Sequence, residues 1–259
     1  MAGTMLKIDI RRGKILERLK RDGAVSVAHL AVELGATPVT IRSDLDALEK
    51  DGYLVRVQGG AVRKNNGADE MLPGSGCIDR AEQKQSIARV VSEYVRDGDT
   101  LFINSGTTMH IVAAGLRGHK NLNIVTNALS VAVEMGKVAT FRVILLGGEI
   151  NAQYGFTYGS DAQEQLGHYQ ADWAVLTLDG ISAAGGLTTY HAEEAAINRM
   201  MIAQAKNTLI AADHSKIGRA GFFRFSDVNP GIRLITDSEA APDALSQLKE
   251  YGVPVDCAR

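Results

Sequence analysis

The sequence predicts an α/β protein in which a small helical domain precedes a larger domain built on a mostly parallel sheet. Three observations predict it. Residues 1–63 contain helix-period apolar stripes, residues 64–76 are polar and glycine-rich, and residues 77–259 alternate short apolar runs with helix-like stretches. We therefore expect an N-terminal domain at 1–63, a linker at 64–76 and a second domain at 77–259, which a chain of 259 residues can accommodate.

The composition is that of an ordinary globular protein, with 45% hydrophobic and 22% charged residues. No apolar run is long enough to span a membrane, and the first residues lack the apolar stretch of a secretory signal. Cys77 and Cys257 fit neither a disulfide framework nor a metal-ligand pattern. We expect free thiols in the cytoplasm, and neither a metal nor a cofactor.

The small net charge of −2 conceals an asymmetry between the two ends of the chain. Residues 1–64 contain 12 Lys and Arg against 8 Asp and Glu, a net charge of +4, and the remainder carries −6. A basic end on an acidic body favours a polyanionic partner for the N-terminal domain alone.

The first sixty residues have the spacing of a helix-turn-helix. A first helix is expected from Asp9 to Arg21, and Ser26 is expected to cap a second, which buries Val27, Leu30, Ala31 and Leu34. Directly after Gly35, Thr37-Pro38 opens a third helix, with Thr37 as its cap. Two short helices joined by a tight glycine turn place the second of them in the major groove of DNA.

A hairpin is predicted to follow the third helix. Residues 53–57 alternate like a strand, residues 58–60 form a glycine turn and residues 61–63 return, as in the wing of a winged helix. Arginine and hydroxyl side chains bond bases and phosphates, and valine can contact a thymine methyl group. The predicted DNA-binding residues are Ser26, Thr37, Val39, Thr40, Arg42, Ser43, Arg56 and Arg63.

Six short apolar runs in the larger domain predict strands that are buried on both faces of a sheet. They are residues 100–104, 122–126, 142–147, 173–178, 208–212 and 233–237, with helices expected at 79–96, 109–116, 128–136 and 193–205. Ligands of such sheets bind beyond the carboxyl ends of the strands. Residues 104–108, of sequence NSGTT, lie at one such end, where helix amides and hydroxyls can hold an anion.

Other strand ends carry polar residues or glycines that would converge on the same crevice. Each has a structural alternative: the NSGTT turn as an ordinary helix cap, paired glycines as a tight turn, and charged residues as solvated groups. Convergence favours one binding site. The candidate effector residues are Asn104, Ser105, Gly106, Thr107, Thr108, Thr126, Asn127, Gly147, Gly148, Asp179, Gly180, Glu194 and Lys216, and no catalytic residue is assigned.

Two groups of motifs resemble the DeoR family of bacterial sugar-metabolism repressors. Residues 37–62, TPVTIRSDLDALEKDGYLVRVQGGAV, resemble its recognition helix and wing, and NSGTT, VTNAL, LLGGEI, DGISAAGGLTT and DHSK follow in the order of its sensor domain. The resemblance implies an isomerase-like α/β sensor domain, similar to ribose-5-phosphate isomerase. It also implies that Ser105, Gly106, Thr107 and Thr108 hold the phosphate of a sugar, in a pocket lined by the other effector residues.

The chain departs from the family pattern at four places. Ser43 stands where many members have a basic residue, and Asn104 where most have aspartate. Residues 176–178, Leu-Thr-Leu, precede Asp179 where leucine-glycine is usual, and residues 190–192, Tyr-His-Ala, stand where proline, asparagine and an acidic residue are usual. The first departure concerns the base preference, and the other three lie near the expected pocket.

The resemblance implies a repressor of a carbohydrate operon that a phosphorylated sugar releases from its operator. Its expected partners are double-stranded operator DNA, the phosphorylated sugar and further copies in a homodimer or homotetramer, without a membrane. Two alternatives remain open. One is a sugar-phosphate isomerase with a DNA-binding head, which would need a carboxylate base such as Glu194 or Asp179. The other is an adaptor whose winged domain binds a protein.

Overall fold

The computed structural model describes residues 7–50, 53–63, 80–152 and 154–258, with the backbone alone at residues 7–10, 20 and 63. The chain divides into two compact units, Met1–Asn65 and Asn66–Arg259. The predicted linker and Cys77 lie outside the described residues, and the domain bounds at 63 and 77 stay predictions. Among the described helices, none is both long and apolar enough to cross a membrane.

The N-terminal unit is a winged helix-turn-helix. Its elements are α1 (Lys7–Asp22), β1 (Ala24–Ser26), α2 (Val27–Glu33), α3 (Pro38–Lys50), β2 (Leu54–Val57) and β3 (Gly60–Arg63). The strands form an antiparallel sheet in the order β1-β3-β2. Strand β1 was not predicted, because three residues are too few to show an alternation. The three helices and the wing hairpin are confirmed.

Both predicted helix caps are present. Ser26 Oγ accepts a hydrogen bond from the His29 amide at 3.0 Å, and Thr37 Oγ1 accepts one from the Thr40 amide at 3.2 Å. Each hydroxyl satisfies an amide that has no partner within its helix, which is why these residue types start helices. The apolar stripes of the three helices meet in one core, with Ile15, Leu19, Leu30, Ile41, Leu45 and Leu48 among its members.

The C-terminal unit alternates strands and helices along the chain. Its helices are α4 (Ala81–Tyr94), α5 (Thr107–Gly115), α6 (Leu129–Met135), α7 (Ser160–Gly167), α8 (Ala192–Ala203) and α9 (Pro242–Glu250). Its strands are β4 (Thr100–Ile103), β5 (Asn123–Thr126), β6 (Arg142–Leu145), β7 (Glu149–Asn151), β8 (Phe156–Tyr158), β9 (Ala171–Leu176), β10 (Gly180–Ser182), β11 (Gly186–Thr189), β12 (Ala205–Ala211), β13 (Phe223–Ser226), β14 (Ile232–Asp237) and β15 (Val255–Ala258).

Seven of these strands form a parallel sheet in the order β15-β14-β12-β9-β4-β5-β6. The chain runs outward from β4 through β5 and β6, and then returns to the other side of β4 at β9. Connections therefore leave β4 and β9 in opposite directions, which opens a crevice at the carboxyl ends of these two strands. The six predicted strands all lie in this sheet.

Helices cover both faces of the parallel sheet. On β4, Leu101 and Ile103 pack with residues of α4, α5 and α6, whereas Phe102 packs on the other face with residues of α7, α8 and α9. All three side chains are fully buried. A strand buried on both faces has no polar side to alternate with, which explains the continuous apolar runs. The predicted fold class is confirmed.

Strand β15 and two small antiparallel sheets were not predicted. One of these sheets is the hairpin β7-β8, and the other has the order β10-β11-β13. Their strands have three or four residues each, so the sequence carries too short a pattern to detect them. Both sheets follow strands of the large sheet.

Candidate functional site

The outward face of α3 carries the residues predicted to read DNA. Val39 is 71% exposed, and Arg42 and Ser43, three and four positions later, are exposed on the same face. Ile41 and Leu45 face the core, so this orientation is fixed by burial. The helix thus presents a methyl-bearing, a cationic and a hydroxyl side chain together, the groups that distinguish base edges in the major groove.

Threonine hydroxyls at the start of α3 are engaged in its cap. Thr37 Oγ1 lies 2.9 Å from Thr40 Oγ1, and Thr40 is only half-buried. A hydroxyl can both donate and accept, so the pair leaves capacity for a phosphate or base. Contacts of Ser26, Thr37 and Thr40 with DNA stay predictions.

The side chain of Arg56 lies against α3. Its Nε donates to the Gly60 carbonyl at 3.0 Å, its Nη1 donates to the Arg42 carbonyl at 3.1 Å, and it forms an ion pair with Asp46. Asp46 stands four positions after Arg42, on the same face of α3. Arg56 therefore joins the wing to the recognition helix and neutralises a carboxylate on its outward face. A phosphate contact by Arg56 stays a prediction, and the Arg63 side chain lies outside the described residues.

A buried carboxylate anchors α3 from the other side. Asp44 is 1% exposed, accepts a hydrogen bond from Arg12 Nε at 3.2 Å and is paired with Arg11 of α1. A buried charge requires such partners. Sequence reasoning missed this role, although the signal was present: Asp44 lies between Ile41 and Leu45 on the buried side of the helix.

In the C-terminal unit, Asn104 joins the two strands that border the crevice. Its Oδ1 accepts from the Thr177 amide at 2.9 Å, and its Nδ2 donates to the Thr177 carbonyl and to Asn198 Oδ1, both at 3.0 Å. The side chain is fully buried. Asn104 thus fixes the ends of β4 and β9 relative to each other, and a direct contact with effector stays a prediction.

The NSGTT turn brings the start of α5 to this point. Gly106 has φ of +126°, and a β-carbon there would lie 2.8 Å from Thr177 Cγ2, so both backbone conformation and space require glycine. Thr107 Oγ1 accepts a hydrogen bond from Lys84 Nζ at 2.8 Å. Lys84 is 6% exposed and lies in α4. A cation therefore lies at the positive end of a helix, where anions bind.

Lys84 was missed at the sequence level. It precedes Ile87, Ala88 and Val91 by three, four and seven positions, so it lies on the buried stripe of α4. A lysine on an apolar stripe is costly unless its ammonium has a defined partner, and this was the signal that could have identified it.

Further cations gather around a buried carboxylate, Asp213, which accepts from the Ser215 amide at 3.0 Å and lies 3.8 Å from Arg80 Nε. Burial alone would raise the pKa of Asp213, but the Ser215 hydrogen bonds and the charges of Lys216, Lys84 and Arg80 lower it. Lys216 Nζ also lies 3.8 Å from Asp179 Oδ1. Cationic side chains therefore lie close to both Asp213 and Asp179.

Two carboxyl groups and two hydroxyls form a hydrogen-bonded cluster at the strand ends. Glu194 Oε1 accepts from Ser105 Oγ at 2.8 Å, and Glu194 Oε2 lies 2.6 Å from Thr189 Oγ1. Thr189 Oγ1 is also 3.0 Å from Asp179 Oδ2. Burial, followed by the charge of Asp179, raises the pKa of Glu194 to about 7. Thr189 ends the motif DGISAAGGLTT but was not among the predicted site residues.

The remaining predicted residues have contacts within the protein. Thr126 Oγ1 accepts from the Ala128 amide, Asn127 Nδ2 donates to the Thr157 carbonyl, and the Gly147 amide donates to Gln165 Oε1, at 3.0, 3.0 and 2.9 Å. A β-carbon on Gly148 would lie 2.4 Å from the Tyr158 carbonyl oxygen, and one on Gly180 would lie 2.7 Å from that of Arg219. Among the described side chains, Asn127 Oδ1 is buried without a partner. Ligand contacts at these positions stay predictions.

The departure at residues 190–192 forms aromatic contacts next to the crevice. The Tyr190 amide donates to Asp179 Oδ2 at 2.9 Å, and its ring packs edge-on against Phe222 at 5.3 Å between centroids. His191 packs against Tyr154 at 4.7 Å, and burial lowers its pKa. An aromatic wall therefore adjoins the Asp179 carboxylate.

His214, Asp237 and Glu239 place possible metal-ligand atoms within 4.8 Å of one another. Asp237 already accepts from the His214 amide at 2.7 Å and the Glu239 amide at 3.0 Å, and it lies 2.9 Å from His214 Nδ1. These hydrogen bonds explain why the three side chains lie together at the end of β14.

Both units match known protein families. Residues 11–66 match the DeoR-like helix-turn-helix domain, and residues 79–238 match the DeoR C terminal sensor domain. The chain belongs to the DeoR family. This DeoR-family protein is therefore a DNA-binding transcriptional repressor with a sensor domain, as its sequence motifs predicted.

Curated proteins named as repressors match this DeoR-family chain over nearly their whole length. It is 30% identical to the glycerol-3-phosphate regulon repressor of Escherichia coli (strain K12), covering 95% of this chain and 97% of the relative. It is 31% identical to the putative aga operon transcriptional repressor of Escherichia coli O157:H7, with coverage of 95% and 92%. Identity to the lactose phosphotransferase system repressor of Lactococcus lactis is 30%, with coverage of 93% and 95%.

Solved structures resemble the DeoR-family chain only weakly. Ribose 5-phosphate isomerase A from Methanocaldococcus jannaschii is 12% identical, with a TM-score of 0.39 over 53% of this chain and 55% of the isomerase. The translation initiation factor eIF-2B of Pyrococcus horikoshii OT3 is 14% identical, with a TM-score of 0.40 over 82% and 67%. Likeness at this level supports no conclusion about ligand or activity.

Proposed function

We propose that this DeoR-family chain represses a carbohydrate-utilisation operon in the cytoplasm, and that a phosphorylated sugar bound in the β4–β9 crevice releases it from its operator. The observation that carries the proposal is that the NSGTT turn contacts both a cation and a cluster of carboxyl groups: Thr107 bonds to Lys84, and Ser105 bonds to Glu194, which Thr189 joins to Asp179. Cationic and carboxyl groups therefore lie close together at the ends of β4 and β9. Relatives named for glycerol-3-phosphate and lactose phosphotransferase regulation support the ligand class.

The phosphate of the effector would bind at the start of α5. The backbone amides there point out of the helix, and Lys84 lies at Thr107 with its charge shielded from water. A helix N-terminus and a buried ammonium both stabilise a dianion. Lys216, on the far side of Asp213, would add a second positive charge.

The sugar hydroxyls would bind at the carboxylate side of the crevice. Asp179 accepts from Thr189 and from the Tyr190 amide, and a carboxylate has capacity for further donors. A polyol that carries a phosphate at one end matches this separation of groups. A ligand without the phosphate would lose its contacts with both lysines.

The operator would be read by α3 in an assembly of two or four copies. One short helix contributes few base contacts, and paired half-sites add a second set. The effector would act by favouring an arrangement of the copies that fits the operator less well, with a coupling free energy of about 1–3 kcal/mol.

The test is binding of the full chain to fragments of its own promoter region, followed by addition of single phosphorylated sugars. We expect salt-sensitive binding to a repeated site and release by one phosphorylated sugar, which also raises the Tm. The same sugar without its phosphate is the control. Failure to bind any promoter fragment at moderate salt would contradict the proposal.

The two alternatives predict different results. An isomerase would turn over pentose or hexose phosphates and lose that turnover in Asp179→Asn. A protein-binding adaptor would keep its operator affinity, if it has any, in Arg42→Ala.

A further inference from the structure

The hydrogen bonds at Thr189 require a proton that an ionised crevice does not contain. Thr189 Oγ1 lies 2.6 Å from Glu194 Oε2 and 3.0 Å from Asp179 Oδ2. A hydroxyl has one proton and can donate to only one of these carboxyl groups. If both were ionised, one contact would join two lone-pair oxygens without a proton between them. If one carboxyl is protonated, it donates to Thr189, and Thr189 donates to the other.

The environment of each carboxyl group indicates where this proton lies. Asp179 accepts from the Tyr190 amide at 2.9 Å, has Lys216 at 3.8 Å and is 28% exposed at its side chain. These features stabilise its charge. Glu194 is half-buried and has two neutral hydroxyls as partners, Ser105 and Thr189. Burial also raises its pKa. The proton therefore belongs on Glu194, which donates to Thr189.

The proton on Glu194 sets the net charge of the charged groups around it, and this net charge governs the binding of an anion. Lys84 of α4, Arg80 before it and Lys216 of the 214–216 turn are matched by Asp213, Asp179 and an ionised Glu194. His191, at the start of α8, is kept neutral by burial, and Glu193 is exposed. These three cations and three carboxyl groups therefore sum to zero when Glu194 is ionised and to one positive charge when Glu194 is protonated.

We propose that Glu194 is a protonated carboxylic acid near neutral pH, that its proton makes the crevice an anion site, and that an anionic effector binds with uptake of a proton there. The hydrogen bonds at Thr189 require the proton, and the partners of each carboxyl group assign it to Glu194, whereas its link to the effector rests on the proposed function. A dianion near Ser105 would hold the proton more firmly on Glu194, because a charged neighbour of the same sign favours the neutral carboxyl.

Sulfate is the probe for the anion site, because it stays a dianion from about pH 6 to about pH 8, so any change in its affinity belongs to the protein. Titration of the full chain at constant ionic strength should give an affinity about tenfold weaker at the higher pH. Glu194→Gln, which keeps the shape and both hydrogen bonds, should bind equally at both. Glu193→Gln, its exposed neighbour, should behave as the wild type.

Calorimetry of the wild type in two buffers of different ionisation enthalpy checks the coupling without a variant. Near neutral pH it should register uptake of about half a proton per sulfate. A wild-type affinity that does not change with pH, a pH dependence that persists in Glu194→Gln, or no sulfate binding at any pH would each overturn the coupling.

Unfolding in urea tests the proton without any ligand. The pKa of Glu194 is raised from 4.5 to about 7 on folding, so its contribution to stability is fully present below the unfolded value and is lost as the pH rises through about 7. The free energy of unfolding of wild type minus that of Glu194→Gln should therefore fall over this range. If this difference does not change with pH, the inference is wrong. If it falls but sulfate does not bind, the protonation of Glu194 is supported and the proposed ligand site is contradicted.

Discussion

The two candidate binding surfaces are built in opposite ways. On α3, Val39, Arg42 and Ser43 are exposed and available for their predicted contacts, while separate buried and ion-paired groups fix the helix behind them. In the crevice, the polar side chains form hydrogen bonds with one another. Glu194 bonds to Ser105 through one carboxyl oxygen and to Thr189 through the other. Substitutions on α3 should therefore act independently, whereas those in the crevice should be strongly coupled.

The largest effect is expected for Asn104→Ala, which removes the side chain that joins β4 and β9. It leaves the amide and carbonyl of the half-buried Thr177 and the fully buried Asn198 side chain without their partner. Each such group costs about 1–3 kcal/mol, so the free energy of unfolding should fall by about 3 kcal/mol or more. Urea unfolding measures this. Gln170→Ala, which removes an exposed amide side chain, is the control, and an equal small loss in both would show that the crevice does not depend on this link.

Lys84→Met should weaken sulfate binding while preserving DNA binding. The variant keeps the length of the side chain on the buried stripe of α4 but removes the charge at Thr107. We expect sulfate affinity to fall about tenfold or more, and operator affinity to stay within about twofold. Lys120→Met, on an exposed loop, is the control. Equal sulfate affinity in wild type and Lys84→Met would remove the α5 terminus from the proposed site.

Arg42→Ala should weaken operator binding by about 1–3 kcal/mol and relax the preference at one base position. The expected effect is confined to DNA, because Arg42 is exposed and its backbone carbonyl, not its side chain, contacts Arg56. A mobility-shift titration with single-base operator variants measures both quantities. If the base preference does not change, Val39 or Ser43 reads the base instead of Arg42.

The smallest effect should come from Arg56→Ala, and a second change should partly reverse it. If Arg56 acts by neutralising Asp46, operator affinity should fall by about 1 kcal/mol, and Asp46→Asn should restore much of it. The dependence of affinity on salt should stay unchanged, because no phosphate contact is lost. A shallower salt dependence and no rescue would instead show that Arg56 contacts a phosphate.

Much of the fold could be predicted because its signals are local. Caps at Ser26 and Thr37, helix stripes and doubly buried strands each leave a pattern within a few residues. The β7-β8 and β10-β11-β13 sheets leave none, since their pairing depends on residues far apart in the chain. The same reason explains the incomplete site. Strand ends marked Ser105 and Asp179, whereas Thr189 lies in a recognised motif and its role becomes visible only where the fold brings it between two carboxyl groups.

The fixed link at Asn104 has a consequence for engineering. The floor of the crevice is held by backbone groups of Thr177, while the wall near Asp179 is formed by side chains of Tyr190 and Phe222 that take no part in that link. Libraries at these two aromatic positions should therefore change which compound is sensed without collapsing the scaffold. Such a separation is what a tunable biosensor needs.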